Sequence, residues 1–150
     1  MSTSPGLSLD DQLCFALYAA SRAVTARYRP LLHSLGITYP QYLVLLVLWE
    51  RGPVSVGELG RRLQLDSGTV SPLLSRLADA GLVRRRRRPG DERSVEVTLT
   101  ATGRALRRNA TVVPAQMCAA MGLPDAERDR LSADLRELAG RLDGAMSRPA

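Results

Sequence analysis

A chain of 150 residues, 45% hydrophobic and 24% charged, suits one compact domain or one protomer of a dimer and excludes a disordered, collagen-like or mucin-like protein. No stretch approaches the about 18 apolar residues of a membrane span, and the opening MSTSPGLSLDDQLC has no basic n-region or apolar h-region; with only two cysteines, the expected location is the cytoplasm, with free thiols. The net charge of +6 is carried entirely by Arg and is concentrated in residues 51–108, where thirteen Arg face six acids, so a polyanion-binding centre sits between near-neutral arms.

Ser8, with Asp11 three residues on, reads as an N-cap with an acidic third position. Leu13, Leu17, Ala20, Val24 and Leu31 then recur at helical spacing until Gly36 supplies a stop. Thr38 and Gln41 form a second capping box with Pro40 in the first turn. The helix they open carries YLVLLVLW to Gly52-Pro53 and is apolar enough to be almost wholly buried. Ser55 and Glu58 make a third box, opening a short helix to Leu63.

A polar turn, Leu65-Asp66-Ser67-Gly68, leads into a fourth helix that ends at Ala80-Gly81. Pro72 forbids one of its ladder bonds, which predicts a later start or a local bend. Leu82-Val83 begins an extended run, and Val95, Val97 and Leu99 alternate with Glu96 and Thr98 as a half-buried strand. RRRRRPGDER lies between them, a Pro-Gly turn packed with Arg, so the segment is a hairpin with a charged tip. From Thr100 the chain is helical again. Pro114 splits or kinks it, Gly122 stops it, and Pro124 with Asp125 and Glu127 opens a last helix to about Met146.

The expected fold class is therefore mainly α with a small β-hairpin wing: a winged helix-turn-helix over about residues 38–100 within a single 150-residue domain. The helices of 9–35 and 101–147 are left to make a homodimer. In this geometry the fourth helix enters the DNA major groove. Val70, Leu73, Leu74 and Leu77 turn to the core, and Ser67, Thr69, Ser71, Ser75 and Arg76 turn outward, where small hydroxyls approach bases and phosphates and an Arg binds guanine. Arg84 and Arg86 on the wing suit phosphates, and Asp91 is placed to orient Arg93 for the minor groove. Replacing Arg93 with Ala should weaken DNA binding and flatten its salt dependence. A two-fold dimer presents two such helices about 34 Å apart to pseudo-palindromic double-stranded DNA. His33 is the only histidine and no CxxC occurs, so no metal or other cofactor is expected.

The turn and wing, LDSGTVSPLLSRLADAGLVRRR…DERSVEVTLT, resemble the MarR family of winged-helix transcription regulators. The stretch LDDQLCFALYAASRAVTARYRPLL, followed by GITYPQYLVLLVLWE, resembles the organic-hydroperoxide sensor branch of that family, OhrR. The likeness spans roughly residues 9–103; beyond it the helices match in general character only. It implies a redox-sensing, DNA-binding repressor and no enzyme. The branch's reactive cysteine falls on Cys14, and its thiolate-stabilising tyrosines, which come from the other subunit, fall on Tyr28 and Tyr39. Phe15, Leu17 and Tyr18 suit the lining of an apolar pocket that admits an organic hydroperoxide. Some members of the branch close an intersubunit disulfide with a second cysteine, and Cys118 lies where that partner is expected; others cap the oxidised thiol with a small thiol. On the residues alone, Cys14 also suits a small buried hydrophobe. The readings left open are a repressor gated by a non-covalent phenolic or drug-like ligand, a thiol peroxidase, and a basic RNA-binding protein.

Overall fold

The computed structural model describes residues 6–146, the side chains of Glu92, Arg93, Ala145 and Met146 excepted. A 3₁₀ turn, Leu9–Asp11, precedes α1 (Leu13–His33). Then come α2 (Tyr39–Arg51), β1 (Val54–Ser55), α3 (Val56–Leu63), α4 (Ser67–Asp79), β2 (Val83–Arg88), β3 (Asp91–Leu99), α5 (Ala101–Ala110), α6 (Val113–Met121) and α7 (Asp125–Met146). The described chain packs as two compact units, one ending at Val113 and one beginning at Pro114.

The start of α1 corrects the sequence reading. Ser8 makes no side-chain cap, and Gln12 precedes the helix, its amide donating to the carbonyls of Gly6 at 2.6 Å and Ser8 at 3.2 Å. That local folding absorbs Leu9–Asp11 into the 3₁₀ turn and moves Cys14 to the second residue of α1, inside the turn where a helix favours negative charge.

Capping explains the next three starts. Thr38 accepts from the Gln41 amide while the Gln41 side chain accepts from the Thr38 N–H, and Pro40 sits in the first turn. The Ser55 hydroxyl accepts from the Glu58 N–H at 3.1 Å. Asp66 accepts from the Thr69 N–H at 2.8 Å and fixes the start of α4 at Ser67. Pro72 therefore does not delay that helix, as the sequence suggested it could; it stands inside it. In α2, Tyr42, Val44, Leu45, Val47 and Leu48 are buried, but Leu46 is exposed, so the helix shows solvent a narrow face.

The sheet order is β1-β3-β2, all antiparallel. The two-residue β1, unforeseen in the sequence, pairs Val54 with Val97. The Arg run is strand rather than turn: β2 continues through Arg88, leaving only Pro89-Gly90 at the tip, with Gly90 at φ +86°. Pairing shifts between Arg87, opposite Val95, and Arg88, opposite Asp91, so β3 bulges there.

The core of the first unit gathers Leu32, Leu45, Leu48, Leu59, Leu74 and Leu77 with Val54, Val70 and Val97. It fixes α4 and the wing on one scaffold. Trp49 donates its indole N–H to the Gly103 carbonyl at 2.9 Å, tying α2 to α5. A Cβ at Gly103 would collide with the Leu82 carbonyl oxygen, so only glycine lets α5 approach the base of β2. As the sequence suggested, the chain breaks helix around Thr111 and Val112 before Pro114, and Gly122 ends α6 at φ +65°. In the second unit, α7 exposes Leu131 (48%), Leu135 (40%) and Leu142 (60%).

Candidate functional site

The outward face of α4 is polar. Val70, Leu73, Leu74 and Leu77 are buried, whereas Ser67, Thr69, Ser71 and Arg76 are exposed and Ser75 is half-buried. The N-cap bond from Thr69 holds the Asp66 carboxyl below its ordinary pKa. The start of α4 is capped and carries the hydroxyls of Ser67, Thr69 and Ser71 on exposed residues, the arrangement that lets side chains reach base edges and phosphates.

The wing presents Arg84 through Arg88, all exposed. Register sorts them by face. Arg84 lies opposite Thr98 and Arg86 opposite Glu96, while Arg85 and Arg87 lie opposite the apolar Val97 and Val95. Arg88 pairs with Glu96 at 3.4 Å. Asp91 is exposed, opposite Arg88, at the start of β3; the Arg93 side chain, which Asp91 was expected to orient, lies outside the described residues. Sequence reasoning assigned the run Arg84–Arg88 to phosphates and, from the alternation of faces along a strand, singled out Arg84 and Arg86; the pairing of Arg88 with Glu96 is a tertiary fact it did not foresee.

Cys14 is exposed, with Leu13, Phe15 and Tyr18 exposed around it and Leu17 half-buried. Phe15 and Tyr18 line an open groove of about 400 Å³ with Arg22, whose guanidinium stands 5.6 Å from the centre of the Tyr18 ring. Leu17 and Cys14 are outside that lining. Tyr28 and Tyr39 are brought together: their rings stack with centroids 4.3 Å apart, and Tyr42, which the sequence reading did not single out, packs on Tyr28 at 5.7 Å. Burial raises the pKa of both Tyr39 and Tyr42, so both phenols keep their protons at neutral pH. The spacing of Tyr42 three residues after Tyr39 on α2 was the signal that could have found it.

Within one chain the thiol and the tyrosines do not meet. Cys14 and Tyr28 share α1, and a helix rises about 1.5 Å per residue, so they stand roughly 21 Å apart along it. Cys118 is partly buried on α6, in the second unit, where the Arg128 guanidinium pairs with Asp125 at 2.8 Å. Among the described residues no three His, Cys, Asp or Glu side chains gather as a metal site, and no helix is long and apolar enough to cross a membrane.

The MarR family model matches residues 37–95, from the residue before the α2 cap to the middle of β3 in the wing. The organic hydroperoxide resistance transcriptional regulator of Bacillus subtilis is 50% identical over 108 residues, covering 72% of this chain and 74% of that protein. The chain belongs to the MarR family. The transcriptional regulator TtmR of Methylorubrum extorquens is 49% identical over 135 residues, 90% of this chain and 69% of the relative. Among solved structures, reduced AbfR bound to DNA superposes with a TM-score of 0.76 at 36% identity, over 93% of this chain and 95% of that one; AbfR is from Staphylococcus epidermidis. The disulfide-formed AbfR superposes with a TM-score of 0.58 at 37% identity, over 93% of each chain. This MarR protein is thus a winged-helix transcriptional regulator, and members of its family bind DNA, as the AbfR complex does. Its relatives are transcriptional regulators rather than enzymes.

Proposed function

We propose that this MarR protein is a repressor that senses organic hydroperoxide through Cys14. The observation that carries the reading is the setting of that thiol: exposed, in the first turn of α1, among exposed apolar side chains, in a chain 50% identical over 108 residues to an organic hydroperoxide resistance regulator. The apolar surround favours a peroxide with an organic body over hydrogen peroxide.

The chemistry has two steps. The Cys14 thiolate attacks the distal peroxide oxygen, the O–O bond breaks, and the alkoxide takes a proton and leaves as an alcohol, giving Cys14 sulfenic acid. The Cys118 thiolate of the other subunit then attacks that sulfur; an S–S bond forms and the hydroxyl leaves as water. The net change is two thiols and one hydroperoxide to one disulfide, one alcohol and water, and a dithiol reverses it.

Tyr28 and Tyr39 act across the dimer. Their separation from Cys14 along α1 fits phenols that donate to the partner's thiolate and not to their own. The exposed Leu131, Leu135 and Leu142 on α7 supply apolar surface for the second copy. The dimer sets two α4 helices on a pseudo-palindromic operator, with Ser67, Thr69, Ser71, Ser75 and Arg76 toward the major groove and the wing, Arg93 included, on the flanking minor groove. The intersubunit disulfide shifts the dimer helices, so both half-sites lose contacts together and the operator is released. The protein works in the cytoplasm, where thiols are held reduced until peroxide arrives.

Non-reducing electrophoresis with and without cumene hydroperoxide tests this on the wild type, Cys14→Ser and Cys118→Ser. A covalent dimer that requires both cysteines, together with loss of DNA binding, is the expected result. A monomer with a capped Cys14 would retain the sensor and remove Cys118 from it. DNA binding indifferent to peroxide would return Cys14 to a structural role and favour a repressor gated by a non-covalent ligand.

A further inference from the structure

From the pairing of the wing we infer that Glu96 competes with DNA phosphate for Arg88, so that the wing carries its own stand-in for the DNA backbone. Glu96 lies near the middle of β3, opposite Arg86 in register, and its Oε2 stands 3.4 Å from the Arg88 Nε. Both side chains remain in contact with water, 31% and 45% exposed, so the pair opens without disturbing the core. Of the five arginines of β2, Arg88 is the one drawn onto Glu96. The neighbouring Arg85 and Arg87 lie opposite Val97 and Val95 instead, apolar residues that offer a guanidinium no ion pair.

A guanidinium has one planar fork, and it serves either the carboxylate or a phosphate well. To grip DNA, Arg88 must first leave Glu96, and Glu96 is then left close to the polyanion. This lowers the affinity of the wing for DNA of any sequence, because phosphate contacts carry no sequence information. The base contacts of α4 are untouched. A protein with a run of five arginines needs such restraint if it is not to be held by every duplex it meets. Glu96 therefore raises the ratio of operator binding to background binding by weakening the background.

The experiment uses the full chain, reduced, with a fluorescein-labelled random-sequence duplex, read by anisotropy over a salt series. Glu96→Gln should tighten binding about threefold at low salt and steepen the slope of log affinity against log salt by up to about 0.9, the value of one recovered phosphate contact. The Arg88→Gln background decides the cause. If Glu96 acts through Arg88, the gain from Glu96→Gln shrinks to a small fraction there. An unchanged affinity and slope in Glu96→Gln would overturn the inference. So would a gain that persists in full without Arg88, which would mark Glu96 as a general negative charge near DNA. Glu96→Ala provides a second removal of the carboxylate, and equal thermal melts establish that every variant is folded.

Discussion

Tyr28 stacks on Tyr39 at 4.3 Å between centroids with 20° between the ring planes, which couples the C-terminal half of α1 to the first residue of α2. The stack holds the two phenols side by side, and Tyr42 packs on Tyr28 at 5.7 Å between centroids. A rigid pair can present hydroxyls to a sulfur brought by another subunit without the entropy cost of ordering them first.

Tyr39→Phe removes a hydroxyl and keeps the stack. Oxidation of Cys14 by cumene hydroperoxide should slow by about tenfold, the size of one lost charge-assisted hydrogen bond, while thermal stability at neutral pH changes little. Stopped-flow measurement of thiol loss checks it, and an unchanged rate constant would remove Tyr39 from the sensor. The same variant has a signature at high pH. Burial raises the Tyr39 pKa above 10.0, so the folded state holds a proton that the unfolded state releases. Wild-type stability falls as pH rises through 10.0, and the Phe variant should lose less over that interval.

Asp66 governs how firmly α4 begins. Its pKa is lowered by the hydrogen bonds from Thr69, so its contribution to stability is present in full above the ordinary value of 3.8 and is lost as pH falls through the folded value. Asp66→Ala should melt below the wild type at pH 7, and the gap between the two should close on acidification. DNA affinity at pH 7 should fall as well, because Ser67 and Thr69 sit in the turn that the cap orders. A gap independent of pH would mean that the charge of Asp66 contributes nothing to the start of α4.

Much of this architecture was legible in the sequence because the signals are local. Thr38 with Gln41, Ser55, Asp66, Gly52 and Gly122 mark helix ends by chemistry that acts within a few residues, and the buried face of α4 follows from the spacing of Val70, Leu73, Leu74 and Leu77. The errors arose where a distant contact or a competing local bond decides. Ser8 lost its cap because Gln12 ties the preceding turn to itself. β1 is two residues long and exists only through its pairing with Val97 and Glu96 of β3. The pairing of Arg88 with Glu96 depends on a bulge that no pattern in RRRRRPGDER announces. The Tyr28–Tyr39 stack needs the return of α2 against α1, and its proposed sulfur belongs to a different chain.

The contact of α5 with the base of the wing offers a test of packing. Gly103→Ala forces its new methyl against the Leu82 carbonyl, backbone that cannot rotate away, and should cost about 2 kcal/mol or more. Trp49→Phe leaves the Gly103 carbonyl without its indole donor and should cost about 1–2 kcal/mol. Both act on one joint, so the double variant should lose less than the sum. Urea denaturation of the reduced protein measures all three; strict additivity would show that the two residues do not share a joint.

The exposed leucines of α7 offer a test of the proposed dimer and of its part in DNA affinity. Leu131 and Leu135 are four residues apart and so lie on one face of the helix, with almost half of each side chain open to solvent in the single chain. If a second copy covers them, replacing both with Ser removes apolar area from the interface, and since the side chains are already exposed in the lone protomer, the change does little to its fold. Sedimentation should then show a shift from dimer to monomer at micromolar concentration. DNA binding should weaken by about a hundredfold or more, because a monomer engages one half-site where the dimer engages two. The salt slope should fall by about half for the same reason, as each protomer brings its own wing and its own phosphate contacts. A double variant that stays dimeric with full affinity would place the interface elsewhere and leave the α7 leucines without a role in assembly.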